Sequence, residues 1–379
     1  MDFDLSPEQE QIRVLARDFC DREVAPRAAE LDRTEAFPDQ LLPMLFEVGF
    51  LAAPIPDEYG GMGLDYLSYG LIVEELGRTD ASIRSLVSVN VGLVALSVLR
   101  WGTEAQRKEW LPRLAADGLG AFGLTEPDAG SDPSALRTSA RRDGEDWVLN
   151  GTKQFITNGS RGVVTIVFAR AGDAGITAFL VPQDASGYEG RPIKGKLGLR
   201  AGDTASVTLT DVRVPDSARL GELGKGLKVA LSALDSGRYS LAAGSTGIAQ
   251  AALDASLRYA DERRQFGRKL SGFQLIQELI ADTYLDVEAA RALYWKVAWR
   301  HDRGERHTIE SSVAKTFCSE AAVRCADRAV QVHGGYGYID EYPVGRYLRD
   351  ARVTTLYEGT SQIQRLLLGR HLTGENAFT

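Results

Sequence analysis

Residues 163–181 read VVTIVFARAGDAGITAFLV and contain two runs of β-branched and aromatic residues on either side of a glycine-containing turn. Runs of this composition, bounded by turn residues, are typical of β-strands. The segments 147–149 and 206–210 have the same character. The middle of the chain, from about residue 120 to residue 216, is therefore predicted to form a β domain.

Helical periodicity replaces this pattern on both sides of the β segment. At the N-terminus Ser6 can cap a helix, Pro7 suits the first helical position, and Gln9 completes a capping box. Further N-terminal helices are predicted at 38–48, 65–77, 81–99 and 103–116. Four long C-terminal helices joined by short loops, which are typical of a bundle, are predicted at 227–260, 273–300, 308–332 and 362–371.

The order of these segments predicts an α+β multidomain protein. An N-terminal helical domain is expected at 1–119, a middle β-barrel or β-sandwich domain at 120–224, and a C-terminal four-helix bundle at 225–379. A chain of 379 residues is longer than one hydrophobic core usually serves. The GxGxxG pattern at 118–123 follows a helical stretch and does not open a helix, so a Rossmann dinucleotide site is not expected there.

Composition and charge exclude several classes of function. The chain has 44 Lys and Arg residues and 52 Asp and Glu residues, which gives a net charge of −8. It therefore lacks the excess of positive charge that is typical of nucleic-acid-binding proteins. Cys20, Cys318 and Cys325 fit neither a disulfide framework nor a zinc knuckle, and the four histidines show no metal-ligand spacing. The longest uncharged runs have 15 residues, fewer than a membrane helix needs, and no targeting signal is visible. We expect a cytoplasmic protein without a metal centre or membrane insertion.

Candidate chemistry is concentrated in loops near the domain boundaries. Residues 124–132 (LTEPDAGSD) offer hydroxyls, free backbone N–H groups and a glycine for close approach of a ligand, although a plain turn uses the same residues. Residues 155–159 (FITNG) set an aromatic ring beside a hydroxyl, which suits one face of a flat ring system. A strand end followed by a turn is the alternative.

Three C-terminal stretches are equally open to two interpretations. The paired arginines of 263–267 (RRQFG) could bind a phosphate with their planar guanidiniums, or form a solvated charge cluster. Residues 331–335 (QVHGG) could be a helix end with a glycine cap. Residues 357–362 (YEGTSQ) place one carboxylate before a flexible glycine and a helix start, where a helix cap is the alternative.

Taken together, these motifs resemble those of the acyl-CoA dehydrogenase family of flavoproteins, and the resemblance covers essentially the whole chain. The matching stretches are 58–61, 124–132, 150–153 with 156–159, 196–198 with 212–215, 263 with 266–267, 334–335 and 357–360. The resemblance implies a helical domain, a β domain and a four-helix bundle in each subunit of a homotetramer. It also implies FAD, bound between the β domain and the C-terminal bundle.

The resemblance assigns the cofactor residues in two groups. The residues implied to line the flavin, with the Thr157 hydroxyl near flavin N5, are Phe122, Leu124, Thr125, Ser131, Phe155, Ile156 and Thr157. Those implied to reach the adenosine and pyrophosphate, from a neighbouring subunit, are Arg263, Phe266, Gln274, Gln331, Gly334 and Gly335. Thr360 and Gln362 would complete the site.

Glu358 matches the catalytic base of the family. The proton α to a thioester is weakly acidic, so a desolvated carboxylate of raised basicity must meet it in a closed apolar site. Glu358 would take that proton while a hydride leaves the β-carbon for the flavin, giving a 2,3-enoyl thioester. The residues implied to contact the substrate are Arg84, Ser85, Ser131, Asp235, Arg238, Tyr239 and Gly359.

Within the family, the chain is most similar to glutaryl-CoA dehydrogenases around residues 82–89. The Arg84–Ser85 pair matches residues that hold the distal carboxylate of the acyl chain in those enzymes. An internal salt bridge from Arg84 to Asp80 or Glu75 is the alternative, since buried charges are nearly always paired. Gly77 stands where those enzymes carry a Glu, which weighs against decarboxylation and against glutaryl-CoA itself.

Several functions therefore stay open. The first is dehydrogenation of a short-chain acyl-CoA, possibly one with a distal carboxylate, with electrons passed to an electron-transfer flavoprotein. The second is the same chemistry on an acyl carrier protein-bound substrate in a biosynthetic pathway. Reoxidation of the flavin by O2 is a third, although family oxidases usually carry an additional C-terminal region. A flavin-free scaffold is a fourth, and an intact Glu358 argues against it.

Overall fold

A computed structural model of the chain describes residues 3–377. Its N-terminal domain is helical, and Ser6 and Gln9 form the predicted capping box, with the Gln9 N–H 3.2 Å from Ser6 Oγ. The helices of this domain are α1 (Pro7–Phe19), α2 (Ala25–Thr34), α3 (Leu42–Glu47), α4 (Tyr66–Thr79), α5 (Ala81–Ser88), α6 (Leu96–Trp101) and α7 (Glu104–Ala116). The third helix starts later than predicted because Pro43 occupies its first turn and residues 38–41 form turns before it.

Two of these helices continue into their neighbours through π-helical turns. Cys20–Val24 joins α1 to α2, and Val89–Ala95 joins α5 to α6. The combined segment Ala81–Trp101 is long and apolar enough to cross a membrane by length and composition, but 89% of its most apolar window is buried within the protein. The segment therefore belongs to the protein core.

The middle domain contains one mixed sheet. Its strands are β1 (Gly120–Gly123), β2 (Ser139–Asp143), β3 (Asp146–Thr157), β4 (Val164–Arg170), β5 (Ile176–Pro182), β6 (Tyr188–Pro192), β7 (Thr204–Pro215) and β8 (Arg219–Leu220). They lie in the order β6-β7-β3-β2-β4-β5-β8, with β1 paired in parallel to β4. Alternation along β4 buries both faces: Ile166 and Phe168 pack towards the helical domains, while Val167 and Ala169 join a core internal to the β domain.

The C-terminal domain is again helical. Its elements are α8 (Gly226–Glu262), a short hairpin of β9 (Arg264–Gln265) and β10 (Arg268–Lys269), α9 (Gln274–Asp302), α10 (Thr308–His333), α11 (Val344–Thr354) and α12 (Ser361–Thr373). The four predicted helices are confirmed, and α11 is an additional one. The structure thus has the predicted order of a helical domain, a β domain and a helical domain.

Glycines allow α4 and α8 to approach each other closely. A Cβ added at Gly77 would lie 2.2 Å from the carbonyl oxygen of Gly244, and one added at Gly247 would lie 2.0 Å from the carbonyl oxygen of Glu74. Any side chain at Gly77 would therefore force the two backbones apart. The N-terminal and C-terminal domains share one hydrophobic core across this crossing, to which Tyr69 contributes.

A polar seam joins all three domains beside this core. Arg349 of α11 pairs with Asp32 of α2, and Arg346 lies 3.5 Å from Asp80 at the start of α5. The neighbouring Asp350 accepts a 2.7 Å hydrogen bond from the Leu199 N–H of the middle domain. Burial raises the pKa of Asp350 to about 7. These contacts set the helix that leads to the 357–360 loop firmly against the other two domains.

Candidate active site

A cavity of about 820 Å³ lies where the three domains meet. The N-terminal helices contribute Val89 and Leu93 to its wall. The β domain contributes Phe122, Leu124, Thr125, Gly130, Ser131, Asp132, Pro133, Ser134, Phe155, Ile156 and Thr157. The C-terminal domain contributes Leu231, Leu234, Asp235, Arg238, Arg306, Thr308, Tyr357, Glu358, Gly359, Ile363, Leu366, Leu367 and Ala377.

Glu358 projects a carboxylate into this cavity from the loop between α11 and α12. Its Oε2 atom is buried and has no hydrogen-bond partner. A Cβ added at Gly237 of α8 would lie only 2.2 Å from that oxygen, so the glycine makes the space that the carboxylate occupies. Burial raises the pKa of Glu358 to about 7, while the positive charges of Arg84, Lys315 and Arg238 oppose the rise. A carboxylate in this state can accept a proton near neutral pH.

The backbone that carries Glu358 has an unusual conformation. Both Glu358 (φ 55°) and Gly359 (φ 88°) have a left-handed backbone. This conformation is uncommon for a residue with a Cβ such as Glu358. The Gln364 side-chain amide donates to the carbonyl oxygens of both residues, at 3.1 and 3.2 Å, and Lys315 Nζ donates to that of Gly359 at 2.8 Å. These donors compensate for the strain of the loop.

On the β-domain side, a buried ion pair supports the loop that lines the cavity. Lys153 of β3 lies 2.7 Å from Glu126 and donates to the Phe168 carbonyl at 2.6 Å. Glu126 also accepts the backbone N–H groups of Arg137, at 2.6 Å, and Thr138, at 2.9 Å. The carboxylate of Glu126 thus fixes both ends of the 126–138 loop, from which Ser131 and its neighbours reach the cavity.

Phe155 presents an aromatic ring to the cavity from a strained position. Its φ is 61°, the β3–β7 register shifts between Lys153 and Ile156, and 65% of the Phe155 surface is exposed. A bulky residue with positive φ and a bare ring is costly unless something covers it. Together with the hydroxyls of Thr125, Ser131 and Thr157, this ring fits the flat, polar-edged flavin that the sequence predicts.

The other predicted cofactor residues lie elsewhere on the chain. A second cavity of about 490 Å³ is lined by Arg263, Gly334 and Gly335, among others, and shares no lining residue with the first. Gln274 and Gln331 are exposed, and Phe266 is 94% exposed at the tip of the β9–β10 hairpin. Within one chain the predicted cofactor residues therefore fall into two separate groups.

Thr360 and Gln362 line neither cavity. The Thr360 hydroxyl accepts the Ile363 N–H at 3.2 Å and caps α12, and Gln362 is exposed. The helix-cap interpretation of this stretch is thus confirmed for Thr360. Their predicted contact with the cofactor stays a prediction.

Arg84 is fully buried, and the predicted alternative of a salt bridge to Asp80 or Glu75 is wrong. Asp80 caps α5 and pairs with Arg346, whereas Glu75 lies 2.6 Å from Arg78. Arg84 instead donates to the Tyr357 hydroxyl at 2.5 Å, and its Nε has no partner. Arg84 does not itself line the cavity; Tyr357 stands between them.

Of the predicted substrate residues, Ser131, Asp235, Arg238 and Gly359 line the cavity, whereas Ser85 and Tyr239 do not. Ser85 is 4% exposed within α5. Tyr239 follows Arg238 on α8, where one residue turns the helix by about 100°, so it points into the core. Its hydroxyl donates to the Tyr66 carbonyl at 2.6 Å.

The sequence analysis assigned no role in the site to several residues that surround it. Lys153, Lys315 and Gln364 act from behind the cavity wall, and Arg306 and Thr308 lie on it. For the two lysines, the signal in the sequence was a charged residue among the apolar residues of a strand or helix. No cluster of three or more His, Cys, Asp or Glu side chains suited to a metal occurs within residues 3–377.

Comparison with known families covers nearly the whole chain. Residues 6–118 match the acyl-CoA dehydrogenase N-terminal domain, residues 121–212 its middle domain and residues 224–373 its C-terminal domain. The short-chain specific acyl-CoA dehydrogenase of Mus musculus mitochondria is 44% identical over 372 residues, which cover 97% of this chain and 90% of the relative.

Solved structures agree with the family match. Butyryl-CoA dehydrogenase from Megasphaera elsdenii is similar with a TM-score of 0.96 and 40% identity, covering 98% of this chain and 100% of that one. A glutaryl-CoA dehydrogenase from Mycobacterium smegmatis in complex with FADH2 gives a TM-score of 0.96 and 37% identity, covering 99% and 97%. The prolyl acyl carrier protein oxidase AnaB gives 0.94 and 31%, covering 98% and 100%. The three matched domains, the near-complete coverage and the buried carboxylate together show that the chain belongs to the acyl-CoA dehydrogenase family of flavoproteins, oxidoreductases that act on CH–CH groups.

Proposed function

We propose that the protein is an FAD-dependent dehydrogenase of short-chain acyl-CoA thioesters with Glu358 as its catalytic base. The observation that carries the proposal is the unpartnered, buried carboxylate of Glu358 in the 820 Å³ cavity. The flavin supplies the acceptor for the hydride that leaves the β-carbon. Glu358 takes the α-proton, and the electron pair of the broken Cα–H bond forms the 2,3 double bond of the enoyl thioester.

The polar side chains around the cavity have distinct roles in this proposal. Arg238, 3.1 Å from Asp235, and Thr308, 2.8 Å from the other oxygen of Asp235, form a polar rim for the thioester arm. Leu93 and Val89 add apolar surface beside Glu358, and burial of this kind raises the pKa of the carboxyl, which makes its ionised form a stronger base. Thr125, Ser131, Phe155 and Thr157 hold the flavin ring.

A distal polar group on the acyl chain is supported by an unpartnered atom behind Tyr357. Arg84 is fully buried, and its Nε has no hydrogen-bond partner among residues 3–377. Unpaired buried donors are costly unless a ligand satisfies them. A terminal carboxylate on a short acyl chain would accept from the Tyr357 hydroxyl, which lines the cavity and has the Arg84 guanidinium behind it. Gly77 leaves no room for an additional acid, so we propose oxidation without decarboxylation.

A substrate panel tests this function. The purified holoenzyme is mixed anaerobically with butyryl-CoA, isovaleryl-CoA or glutaryl-CoA, and flavin bleaching is followed. Bleaching by glutaryl-CoA that is lost in Arg84→Met, with butyryl-CoA reduction kept, supports the carboxylate role. Arg22→Met, a change of an exposed arginine on the N-terminal domain, is the matched control. Bleaching by unsubstituted acyl-CoA alone would leave a short-chain dehydrogenase whose Arg84 is structural.

The second candidate keeps the chemistry and changes the carrier. The similarity to an acyl carrier protein oxidase at 31% identity favours it. Bleaching by a carrier-bound thioester in the absence of any reaction with CoA esters would replace the first proposal.

We further propose that the enzyme works in the cytoplasm as a homotetramer and passes its electrons to an electron-transfer flavoprotein. Large apolar side chains stand exposed on the C-terminal domain, including Phe266 at 94%, Leu275 at 74% and Tyr338 at 90%. Large apolar side chains that one chain leaves bare are typical of surfaces that a partner covers. The separate cavity around Arg263 supports an adenosine site completed by a neighbouring subunit. Light scattering tests the homotetramer. Reduction of a purified electron-transfer flavoprotein by the substrate-loaded enzyme tests the electron acceptor.

A further inference from the structure

Lys315 of α10 is a fully buried ammonium group without an acidic partner. Its exposed fraction is 0%, and within the described chain no carboxylate forms an ion pair with it. Its one hydrogen bond runs from Nζ to the Gly359 carbonyl oxygen at 2.8 Å. Burial lowers its pKa to about 8. The second fully buried lysine, Lys153, differs because Glu126 neutralises it at 2.7 Å.

An unpaired buried charge needs a reason, since its desolvation is costly when no partner offsets it. The reason lies in what Lys315 faces. The carbonyl it holds belongs to the residue directly after Glu358, in a loop of two successive left-handed residues. The Gln364 amide donates to the carbonyls of both residues, and Arg238 Nε donates to that of Glu358 at 3.4 Å.

The positive charges around the Glu358 carboxylate come from three helices. Arg84 approaches from α5, Arg238 from α8 and Lys315 from α10, while Tyr69 of α4 is a neutral phenol there. Arg238 is paired with Asp235 at 3.1 Å, which offsets part of its field. Glu320, the acid whose field reaches Lys315 besides Glu358, is engaged by Arg365 at 2.7 Å. Lys315 therefore supplies a positive charge that the carboxylate feels with little compensation.

We propose that Lys315 is a positioning residue for the catalytic base, which holds the Gly359 carbonyl and keeps the Glu358 carboxylate ionised in a dry cavity. Its hydrogen bond fixes the peptide that follows the base, and its charge favours the proton-accepting form. The proposal rests on the proposed function only for the role of Glu358 as base. The geometry around both residues stands without it.

Two substitutions separate the charge from the hydrogen bond. Lys315→Gln keeps an N–H donor for the Gly359 carbonyl and removes the charge, whereas Lys315→Met removes both at similar length. Lys296→Met, on the exposed side of α9, is the control for loss of one lysine charge. If the Met variant fails to fold, the Gln variant alone still tests the charge.

The first readout is the ionisation of Glu358 in the holoenzyme without substrate. Infrared difference spectra across pH follow the protonated carboxyl band, with Glu358→Gln subtracted to assign it. We expect the midpoint to rise by about one pH unit in both Lys315 variants, the size expected when a nearby opposite charge is removed, and to stay unchanged in Lys296→Met. An unchanged midpoint in the Gln variant would overturn the electrostatic role.

The second readout is the pH dependence of anaerobic flavin reduction. The acid limb should move to higher pH by the same amount, so the rate at pH 7 falls about fivefold if the midpoint moves from about 7 to about 8. Well above both midpoints, the Gln variant should regain the wild-type rate, and the Met variant should stay about tenfold slower because it lacks one hydrogen bond. Equal slowing at every pH in both variants would reduce Lys315 to a structural residue. A shifted infrared midpoint in an enzyme that no thioester reduces would refute the proposed function and leave the assignment of Lys315 intact.

Discussion

Substitution of Gly237 by alanine should move the catalytic carboxylate without unfolding the protein. Gly237 lies on α8 beside Glu358, and an added Cβ would sit 2.2 Å from Glu358 Oε2 and 2.7 Å from Leu93 Cδ2. Both contacts are with the ends of side chains, which can rotate. The backbone of α8 should therefore stay in place, and the carboxylate should give way.

The size of the effect follows from the distance. Non-bonded atoms settle at roughly 3.5 Å, so the oxygen must retreat by about 1 Å. A misplacement of about 1 Å in a reacting group costs about 100-fold in rate. That corresponds to about 2.7 kcal/mol of transition-state stabilisation.

The assay is single-turnover flavin reduction by saturating butyryl-CoA in stopped flow. We expect Gly237→Ala to reduce the flavin about 100-fold more slowly, with an unchanged flavin content and thermal midpoint. Gly369→Ala is the matched control, because a Cβ at Gly369 meets no atom within 4 Å. Reduction at the wild-type rate by Gly237→Ala would refute the position assigned to the Glu358 carboxylate.

Four further predictions concern the same framework. Gly77→Ala should lower stability by about 2 kcal/mol or more in thermal unfolding, because its Cβ would meet the Gly244 carbonyl of the backbone, which cannot rotate away; an unchanged midpoint would contradict the tight α4–α8 crossing. Flavin reduction should accelerate as pH rises through about 7, where Glu358 ionises, and Glu358→Gln should abolish it. Since the folded pKa of Glu358 exceeds its unfolded value, its burial cost grows as pH rises towards 7, so Glu358→Gln should be the more stable form at pH 8 by up to about 3 kcal/mol. Lys153→Met should cost about 3–5 kcal/mol in denaturant unfolding by leaving Glu126 buried without its cation, and adding Glu126→Gln should restore part of that loss; no rescue would argue against the pair.

Local sequence patterns predicted most of the helices and strands. The β-branched runs at 163–181 became β4 and β5, and the Ser6 capping box opens α1. The π-helical turn at Val89–Ala95 and helix α11 were not foreseen. A π-turn depends on which tertiary contacts the helix must reach, and α11 is rich in arginine whose partners lie in other domains.

In the site, too, local motifs could be identified from the sequence, whereas contacts between distant residues could not. Glu358 could be identified because a short motif surrounds it, and the burial of Arg84 followed from its apolar helix. The partner of Arg84 could not, because Tyr357 is distant in sequence and the nearby acids are engaged by other arginines. The family resemblance assigned Tyr239 to the substrate together with Arg238, whereas the rotation of α8 sends the two side chains in different directions.

The seam around α11 has a consequence for exchanging parts between relatives. A Cβ at Gly198 of the middle domain would lie 2.4 Å from the Arg349 carbonyl, and the adjoining Leu199 N–H is bonded to Asp350. The N-terminal, middle and C-terminal domains are therefore not structurally independent of one another. A chimaera that imports a foreign β domain needs a glycine at position 198 and an acid at position 350, and a fragment that ends at a domain boundary would expose carboxylates and guanidiniums built for one another.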